Sequence, residues 1–214
     1  MKTHFFDLIM LLVSPFLTLN AQVNFEQHLI SDQTHGTQSL YACDLDNDGD
    51  MDILGAAAED HEIIWWRNDG GDPLVFTKII INGDYYGAGS IYAADLNGDS
   101  FTDILAGAKA GDQIAWWENS GNYPVAWTIH IIKSGYDFPH EVYACDIDLD
   151  GNMDVLAASS LQNEITLWYN EGGNPIEWTE QIIATEFTQA KSVHSGDFNN
   201  DGFPDVVGAS LLNN

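Results

Sequence analysis

A nine-residue acidic segment occurs four times in this chain, and each copy starts 51 residues after the last. The copies are DLDNDGDMD from Asp44, DLNGDSFTD from Asp95, DIDLDGNMD from Asp146 and DFNNDGFPD from Asp197. This repeat constrains the fold more than any other feature, because a unit of this length is one small motif that must bury its apolar surface against its neighbours. The chain is therefore expected to be a row of similar, packed units.

The repeat continues outside the acidic segments. At 22 and 24 residues after the first aspartate, units one to three carry the pairs Trp66 and Asn68, Trp117 and Asn119, and Trp168 and Asn170. A glycine, a proline and an aromatic residue follow at equally fixed offsets. Phe25 has the phase of that aromatic residue, so the periodicity begins near the N-terminus.

Within each unit the sequence pattern predicts only strands and turns. In the second unit SIYAAD predicts a strand, the acidic segment a turn, DILAGA a return strand, QIAWWEN a third strand and AWTIHII a fourth. Four short strands in about fifty residues indicate one blade of a β-propeller. We therefore expect an all-β propeller of four-stranded blades over residues 22–214, with units starting near residues 39, 90, 141 and 192.

The chain supplies fewer strands than a closed ring needs. From Phe25 onward it contains one fourth strand, three full units and the first two strands of another, or about 3.5 blades. Closed propellers have about four to eight blades. We expect the chain to be the N-terminal part of a longer protein; assembly with another chain is the alternative.

The first 21 residues are typical of a secretory signal peptide. Lys2 precedes an apolar run from Phe5 to Leu17, and Ala21 ends a suitable cleavage site. A buried N-terminal helix is the alternative. The run is too short to span a bilayer, and no other segment is apolar enough to do so. The sequence thus predicts a secreted or cell-surface protein.

Composition limits the class of partner. The chain has 6 basic and 33 acidic residues, which gives a formal net charge of −27 at pH 7. This charge argues against binding to nucleic acid or anionic lipid. A hydrophobic content of 45% distinguishes the chain from a disordered acidic tail. Cations and neutral ligands are the expected partners.

The acidic segments have the oxygen pattern of a calcium loop. Ca²⁺ prefers six to eight oxygen ligands at about 2.3–2.6 Å. Every copy has carboxylate or amide side chains at positions 1, 3, 5 and 9, and the carbonyl at position 7 can turn toward the same point. The predicted side-chain ligands are Asp44, Asp46, Asp48 and Asp52; Asp95, Asn97, Asp99 and Asp103; Asp146, Asp148, Asp150 and Asp154; and Asp197, Asn199, Asp201 and Asp205. The predicted carbonyl ligands are those of Asp50, Phe101, Asn152 and Phe203, for up to four structural Ca²⁺ ions.

Metal-free acidic turns are the alternative, because Asp and Asn also favour ordinary turns. Position 6 is Gly49, Gly151 or Gly202 in three copies, which suits a turn with positive φ. Ser100 occupies this position in the second copy, so that turn is expected to carry strain or to be relieved by Gly98. Four copies in one register favour calcium, and the absence of a glutamate at position 12 excludes an EF-hand.

The combination of SIYAAD, DxDxDGxxD, DVLAAS, WYNEGG and WTEQII at a period near fifty resembles the FG-GAP or VCBS repeats of secreted bacterial proteins. These are akin to the calcium-binding blades of integrin alpha subunits. The resemblance covers residues 25–210. It implies a propeller with calcium between the first and second strands of each blade, and extracellular protein or glycan binding, or adhesion. Asn97, Ser100 and Asn199 depart from the pattern, which weakens the second site first.

Aromatic residues occur in two settings. The pairs Trp65–Trp66 and Trp116–Trp117 are expected in the core instead of on a sugar-binding surface, because a blade buries both of its faces. The links between blades contain four aromatic residues that are read as exposed loop residues, with ordinary loop packing as the expectation and ligand contact as the alternative: Tyr85, Tyr86, Tyr136 and Phe138.

Two cysteines, Cys43 and Cys145, occupy equivalent places two blades apart, so free thiols are expected.

No GxSxG, CxxC, HExxH or phosphate-binding glycine motif occurs, and we expect no enzyme activity. The alternatives are a carbohydrate-binding propeller and an enzyme whose catalytic domain follows residue 214.

Overall fold

The computed structural model describes residues 27–211, which form fourteen β-strands and no helix. The first sheet contains β1 (Thr37–Cys43), β2 (Asp52–Ala57), β3 (Glu62–Asn68) and β4 (Phe76–Asn82). The second contains β5 (Ala88–Ala94), β6 (Asp103–Ala108), β7 (Gln113–Asn119) and β8 (Trp127–Ser134). The third contains β9 (Pro139–Cys145), β10 (Asp154–Ser159), β11 (Glu164–Asn170) and β12 (Trp178–Ala184). A two-stranded sheet, β13 (Ala190–Gly196) and β14 (Asp205–Ser210), follows.

Each four-stranded sheet is an antiparallel meander in chain order, which is the topology of a propeller blade. The predicted all-β blades are therefore confirmed, and the four strands predicted in the second unit correspond to β5–β8. The fourth strand expected to start at Phe25 is not found in the described part, because residues 27–36 form no strand. Phe25 itself and the predicted signal peptide, residues 1–21, lie outside the described residues. Within residues 27–211 no helix is long and apolar enough to cross a membrane.

The first strands of successive sheets, β1, β5, β9 and β13, lie beside one another and form the inner wall of the arc. Along this wall, side-chain oxygens of one blade accept hydrogen bonds from backbone N–H groups of the next blade. These bonds run from Ile91 N–H to Ser39 Oγ (3.3 Å), from Val142 N–H to Ser90 Oγ (3.0 Å) and from Val193 N–H to Glu141 Oε2 (2.7 Å). They fix the register between neighbouring blades.

A row of aromatic rings follows the same four strands. Tyr41, Tyr92, Tyr143 and His194 are spaced 51 residues apart, and neighbouring ring centroids are 4.7, 5.0 and 4.5 Å apart. Tilted aromatic contacts at these distances are favourable beyond the area they bury. The sequence period thus becomes a continuous column of ring contacts across the blades.

The apolar core lies between the faces of adjacent sheets. Trp65, Trp66, Trp116 and Trp117 are all buried, which confirms that both tryptophan pairs are core residues. Burial of a large apolar side chain contributes about 1.5–3 kcal/mol, so these interfaces carry much of the fold's stability.

The two ends of the arc leave apolar surface uncovered within the described part. Leu40 of β1 is 62% exposed, whereas its equivalents Ile91, Val142 and Val193 are at most 4% exposed. The difference arises because no described blade precedes β1. In the same way β14 is half-exposed where β6 and β10 are fully buried.

Candidate metal centre

Each acidic segment forms the turn between the first and second strands of its unit. Positions 4 and 6 both adopt positive φ in every copy. The pairs are Asn47 and Gly49, Gly98 and Ser100, Leu149 and Gly151, and Asn200 and Gly202. Sequence reasoning predicted this conformation at position 6 and missed it at position 4, although Asn or Gly, the residues that best tolerate it, stand there in three copies.

Ser100 has a φ of 74°, so the second turn keeps the common geometry without glycine at position 6. A left-handed residue other than glycine costs about 1 kcal/mol. The strain expected at Ser100 is therefore present, even though Gly98 occupies the other left-handed position.

The position 1 carboxylate closes the turn by accepting backbone N–H groups. Asp44 Oδ1 accepts from Asp48 N–H at 3.1 Å, and its Oδ2 accepts from Gly49 N–H at 2.9 Å. Asp95, Asp146 and Asp197 make the equivalent bonds to positions 5 and 6 of their own turns.

The position 5 carboxylate in turn accepts the N–H of position 7. The donors are the four residues predicted to offer carbonyl ligands, namely Asp50, Phe101, Asn152 and Phe203, at 2.8–2.9 Å. These bonds hold the backbone of the turn around its own acidic side chains.

The position 9 aspartates hold a structural place that the sequence did not reveal. Asp103 is fully buried, and its two oxygens accept Leu96 N–H at 2.9 Å and Asn119 N–H at 2.8 Å. Asp52 and Asp154 make the same two bonds. Burial raises the pKa of Asp103 to about 7 against the opposing effect of the two N–H donors. Position 9 therefore ties the turn to the third strand of its blade.

Position 3 differs among the copies. Asp46 Oδ1 is buried and has no hydrogen-bond partner. Burial and the neighbouring charges of Asp48 and Asp52 raise the pKa of Asp46. An unpartnered buried carboxylate oxygen is unfavourable unless a cation or proton neutralises it. In the second copy Asn97 uses its amide differently, because Oδ1 accepts Asp99 N–H and Nδ2 donates to Asp99 Oδ2.

Two turns bring three carboxylates to one point. Asp44, Asp46 and Asp48 each place one oxygen within 4.8 Å of the others. Asp146, Asp148 and Asp154 do the same in the third turn. Two oxygens that are each about 2.4 Å from one ion lie at most about 4.8 Å apart, so both triads fit Ca²⁺. The acidic residues of the second and fourth turns form no such triad within the described part of the chain.

Asn119 and Asn170 are site residues whose role the sequence did not reveal. Asn119 Nδ2 donates to the Thr102 carbonyl of its own turn at 3.1 Å and to the Leu45 carbonyl of the preceding turn at 3.0 Å. Asn170 makes the corresponding bonds to Met153 and, at 2.8 Å, to Leu96. The recurrence of asparagine at the same position of the repeat was the signal in the sequence that could have revealed this role. The asparagine links the first acidic turn to the second and the second to the third.

Two of the four aromatic residues in the links between blades are packed in the core and are not exposed as the sequence suggested. Tyr85 and Tyr136 are only 3% and 1% exposed, and their rings pack edge-on against Trp117 and Trp168 at 5.0 and 5.1 Å. Their hydroxyls donate to backbone carbonyls of the neighbouring strands, so both residues belong to the core.

The other two link residues are accessible to different degrees. Tyr86 is 56% exposed and packs on His61, with ring centroids 4.4 Å apart. Phe138 is half-buried.

Both cysteines are free, as predicted, and both are half-buried. Burial raises the pKa of Cys43 to about 12, with a further contribution from Asp52 and Asp44. The thiol is therefore protonated at neutral pH and does not act as a metal ligand in that form.

Comparison with known proteins gives one family and one fold. A model of the FG-GAP-like repeat matches residues 44–106 and 146–208, which is more than half of the chain. The structure is similar to that of an Agrocybe aegerita lectin that recognises non-reducing terminal N-acetylglucosamine. The TM-score is 0.54 at 21% identity, over 81% of this chain and 46% of the lectin, so the chain spans about half of that protein's length. No curated protein sequence matches the chain.

Proposed function

We propose, because this chain belongs to the FG-GAP-like repeat family, that it is an extracellular binding or adhesion module whose propeller is stabilised by Ca²⁺ in its acidic turns. The observation that carries the calcium part is the first turn. There three carboxylate oxygens converge, and Asp46 Oδ1 is buried without a partner. No catalytic role is proposed for any residue.

Calcium binding would relieve repulsion where negative charge is densest. Four divalent ions would change the formal charge from −27 to −19. Extracellular calcium sites have dissociation constants near 10⁻⁴–10⁻³ M, and an ion at ten times that concentration stabilises the fold by about 1.4 kcal/mol per site. The ions would thus act as structural ties between the inner strands of each blade.

The sites are expected to differ in affinity. The first and third turns supply converging carboxylate triads, whereas Asn97 and Asn199 replace a carboxylate at position 3 of the second and fourth. Fewer charged ligands lower the affinity for Ca²⁺. The order of filling should therefore begin with the first and third turns.

Chelation tests this proposal directly. Removing Ca²⁺ should lower the melting temperature, and adding Ca²⁺ but not Mg²⁺ should restore it. Asp46→Asn should weaken the response, because it removes the charge on the carboxylate that lacks a partner. A melting temperature that is the same with and without chelator would refute structural calcium.

A carbohydrate ligand is the second candidate function. A cleft of about 220 Å³ lies between the second blade and a turn of the third, and is lined by Asn97, Asp99, Trp116, Glu118, His130 and Pro175. The rings of Trp116 and His130 stack at 4.5 Å, and His130 Nε2 lies 2.8 Å from Glu118 Oε2. Because Trp116 is a core residue and only 3% exposed, the His130 ring that stacks on it and the polar side chains of the cleft would supply the contacts to sugar hydroxyls. The lectin with a similar fold supports the same class of ligand.

A glycan array distinguishes this second function. Binding should be lost in Glu118→Gln and retained in Gln181→Ala, which changes the position equivalent to His130 in the third blade. Binding that is unaffected by Glu118→Gln, or no glycan bound by the wild-type protein, would remove the cleft as a sugar site.

A further inference from the structure

The first strand of every unit carries a β-bulge at the same position of the repeat. The ladder register skips one residue between Thr37 and Ser39, and skips the equivalent residue in β5, β9 and β13. The bulged residues are Gln38, Gly89, His140 and Lys191. A bulge leaves a residue outside the ladder and redirects its side chain. Because the four strands are neighbours, these residues form one row at the end of the inner wall opposite the acidic turns.

Lys109 extends across this row from the end of β6. Its Nζ donates to Gln38 Oε1 at 2.5 Å, although the two residues belong to different blades. A Cβ atom on Gly89 would lie 2.5–2.8 Å from the side-chain carbons of Lys109, so the absence of a side chain at Gly89 makes room for the lysine. The lysine is therefore held within the row.

Two further basic side chains share this end of the wall. His140 donates its Nδ1–H to the Lys191 carbonyl at 3.0 Å. Burial and the charge of Lys191 lower the pKa of Lys109. Burial and the charges of Lys109 and Lys191 lower the pKa of His140, while the nearby Glu141 opposes this effect. We call Lys109, His140 and Lys191 the cationic row, after the ammonium groups of its two lysines, whose charges keep the pKa of the His140 ring low.

The cationic row has no anionic partner in residues 27–211. Arg67, Lys78 and Lys133 each form an ion pair with an acidic side chain. No described carboxylate lies within ion-pair distance of Lys109 or Lys191. Glu141, which adjoins His140 in the sequence, instead accepts Val193 N–H at 2.7 Å. In a chain with 33 acidic residues, two half-buried lysines at the same end of the wall, neither paired with a described carboxylate, present a positive site for a ligand.

We propose that the cationic row is a binding site for an oxyanion, a carboxylate or sulfate group carried by an extracellular ligand. Lysine ammonium groups are strong donors to such oxygens, and partial burial reduces the screening of their charge by salt. The inference deepens the ligand-binding part of the proposed function and is independent of calcium, because the row lies at the far end of the strands from the acidic turns.

Nuclear magnetic resonance of the His140 ring tests the proposal, with sodium sulfate and sodium acetate as separate probes against sodium chloride at equal ionic strength. Sulfate or acetate should shift the His140 signal in a saturable way and raise the pKa of its ring, since a bound anion favours imidazolium. Tighter binding of sulfate would point to a sulfated ligand, and tighter binding of acetate to a carboxylate.

Lys109→Gln and Lys191→Gln should each weaken binding about tenfold, the effect of one lost charge-assisted bond. Lys133→Gln is the matched control, because Lys133 is already paired with Glu180 on the outer strands. The proposal would be overturned if neither anion shifts the His140 signal. It would also be overturned if Lys133→Gln weakens anion binding as much as the substitutions in the cationic row. If Lys109→Gln fails to fold, Lys191→Gln decides alone. Repeating the titration after chelation separates this site from calcium. A melting temperature that chelator does not change, together with an intact shift of His140 by the anion, would refute the calcium proposal only.

Discussion

Replacing Asn119 by alanine should destabilise the protein more than replacing Asn68, its equivalent in the first blade. Asn119 is 1% exposed, and it donates to the carbonyls of Thr102 and Leu45 and accepts Gly121 N–H. Asn68 has only the two bonds within its own blade, to the Met51 carbonyl and from Gly70 N–H, because no described turn precedes it. The pair therefore differs by one hydrogen bond between blades.

The size of the effect follows from the number of bonds. One intramolecular hydrogen bond contributes about 0.5–1.5 kcal/mol, and a carbonyl left buried without a partner costs about 1–3 kcal/mol. Asn119→Ala should thus lower the free energy of unfolding by about 3 kcal/mol and Asn68→Ala by about 2 kcal/mol. The difference of about 1 kcal/mol measures the bond to Leu45.

Urea unfolding with and without Ca²⁺ measures both free energies, and calorimetric titration measures the affinity for the ion. Asn119→Ala should also weaken calcium at the first turn, since Leu45 is position 2 of that turn. Asn170→Ala should behave like Asn119→Ala, because it loses the equivalent bond to Leu96. The reasoning is refuted if Asn68→Ala costs as much as Asn119→Ala.

Three other predictions concern the acidic turns. Asp146→Ala should remove more calcium-dependent stability than Asp95→Ala, since the third turn has a converging carboxylate triad and the second does not; equal losses in thermal melts would contradict this. Asp50→Asn should be tolerated and Asp48→Asn should weaken Ca²⁺ binding in calorimetry, because Asp50 is expected to offer only its carbonyl; the reverse order would show the predicted register to be wrong. In metal-free buffer the melting temperature should rise as the pH falls from about 8 to about 5. The folded protein binds a proton on Asp103, with a pKa of about 7, more readily than the unfolded chain, with a pKa of about 3.9. Stability that falls over this interval would contradict the raised pKa, and saturating Ca²⁺ should flatten the curve.

The blades could be predicted from sequence because their signals are local. Strand alternation and turn residues lie within a few positions of one another, and the 51-residue period repeats them in register. The predicted acidic segments accordingly form the turns between first and second strands. The burial of Trp65 and Trp117 followed from the same rule, since a blade must cover both faces.

The links between blades could not be predicted in the same way. Tyr85 and Tyr136 looked like exposed loop residues, but they turn inward and donate to backbone carbonyls 21 residues away. Their spacing of 51 residues was a signal that the links are part of the repeated core. Composition alone could not distinguish a polar contact made inside the protein from one offered to a ligand.

The sequence by itself determined the repeat, the blade topology and the location of the acidic turns. Only the tertiary structure decided that Asn119 bridges to a turn 74 residues earlier and that Lys109 reaches Gln38 across 71 residues. The physical reason is that these contacts join different blades. Their geometry depends on how the inner strands pack side by side, and no local pattern of residues specifies that packing.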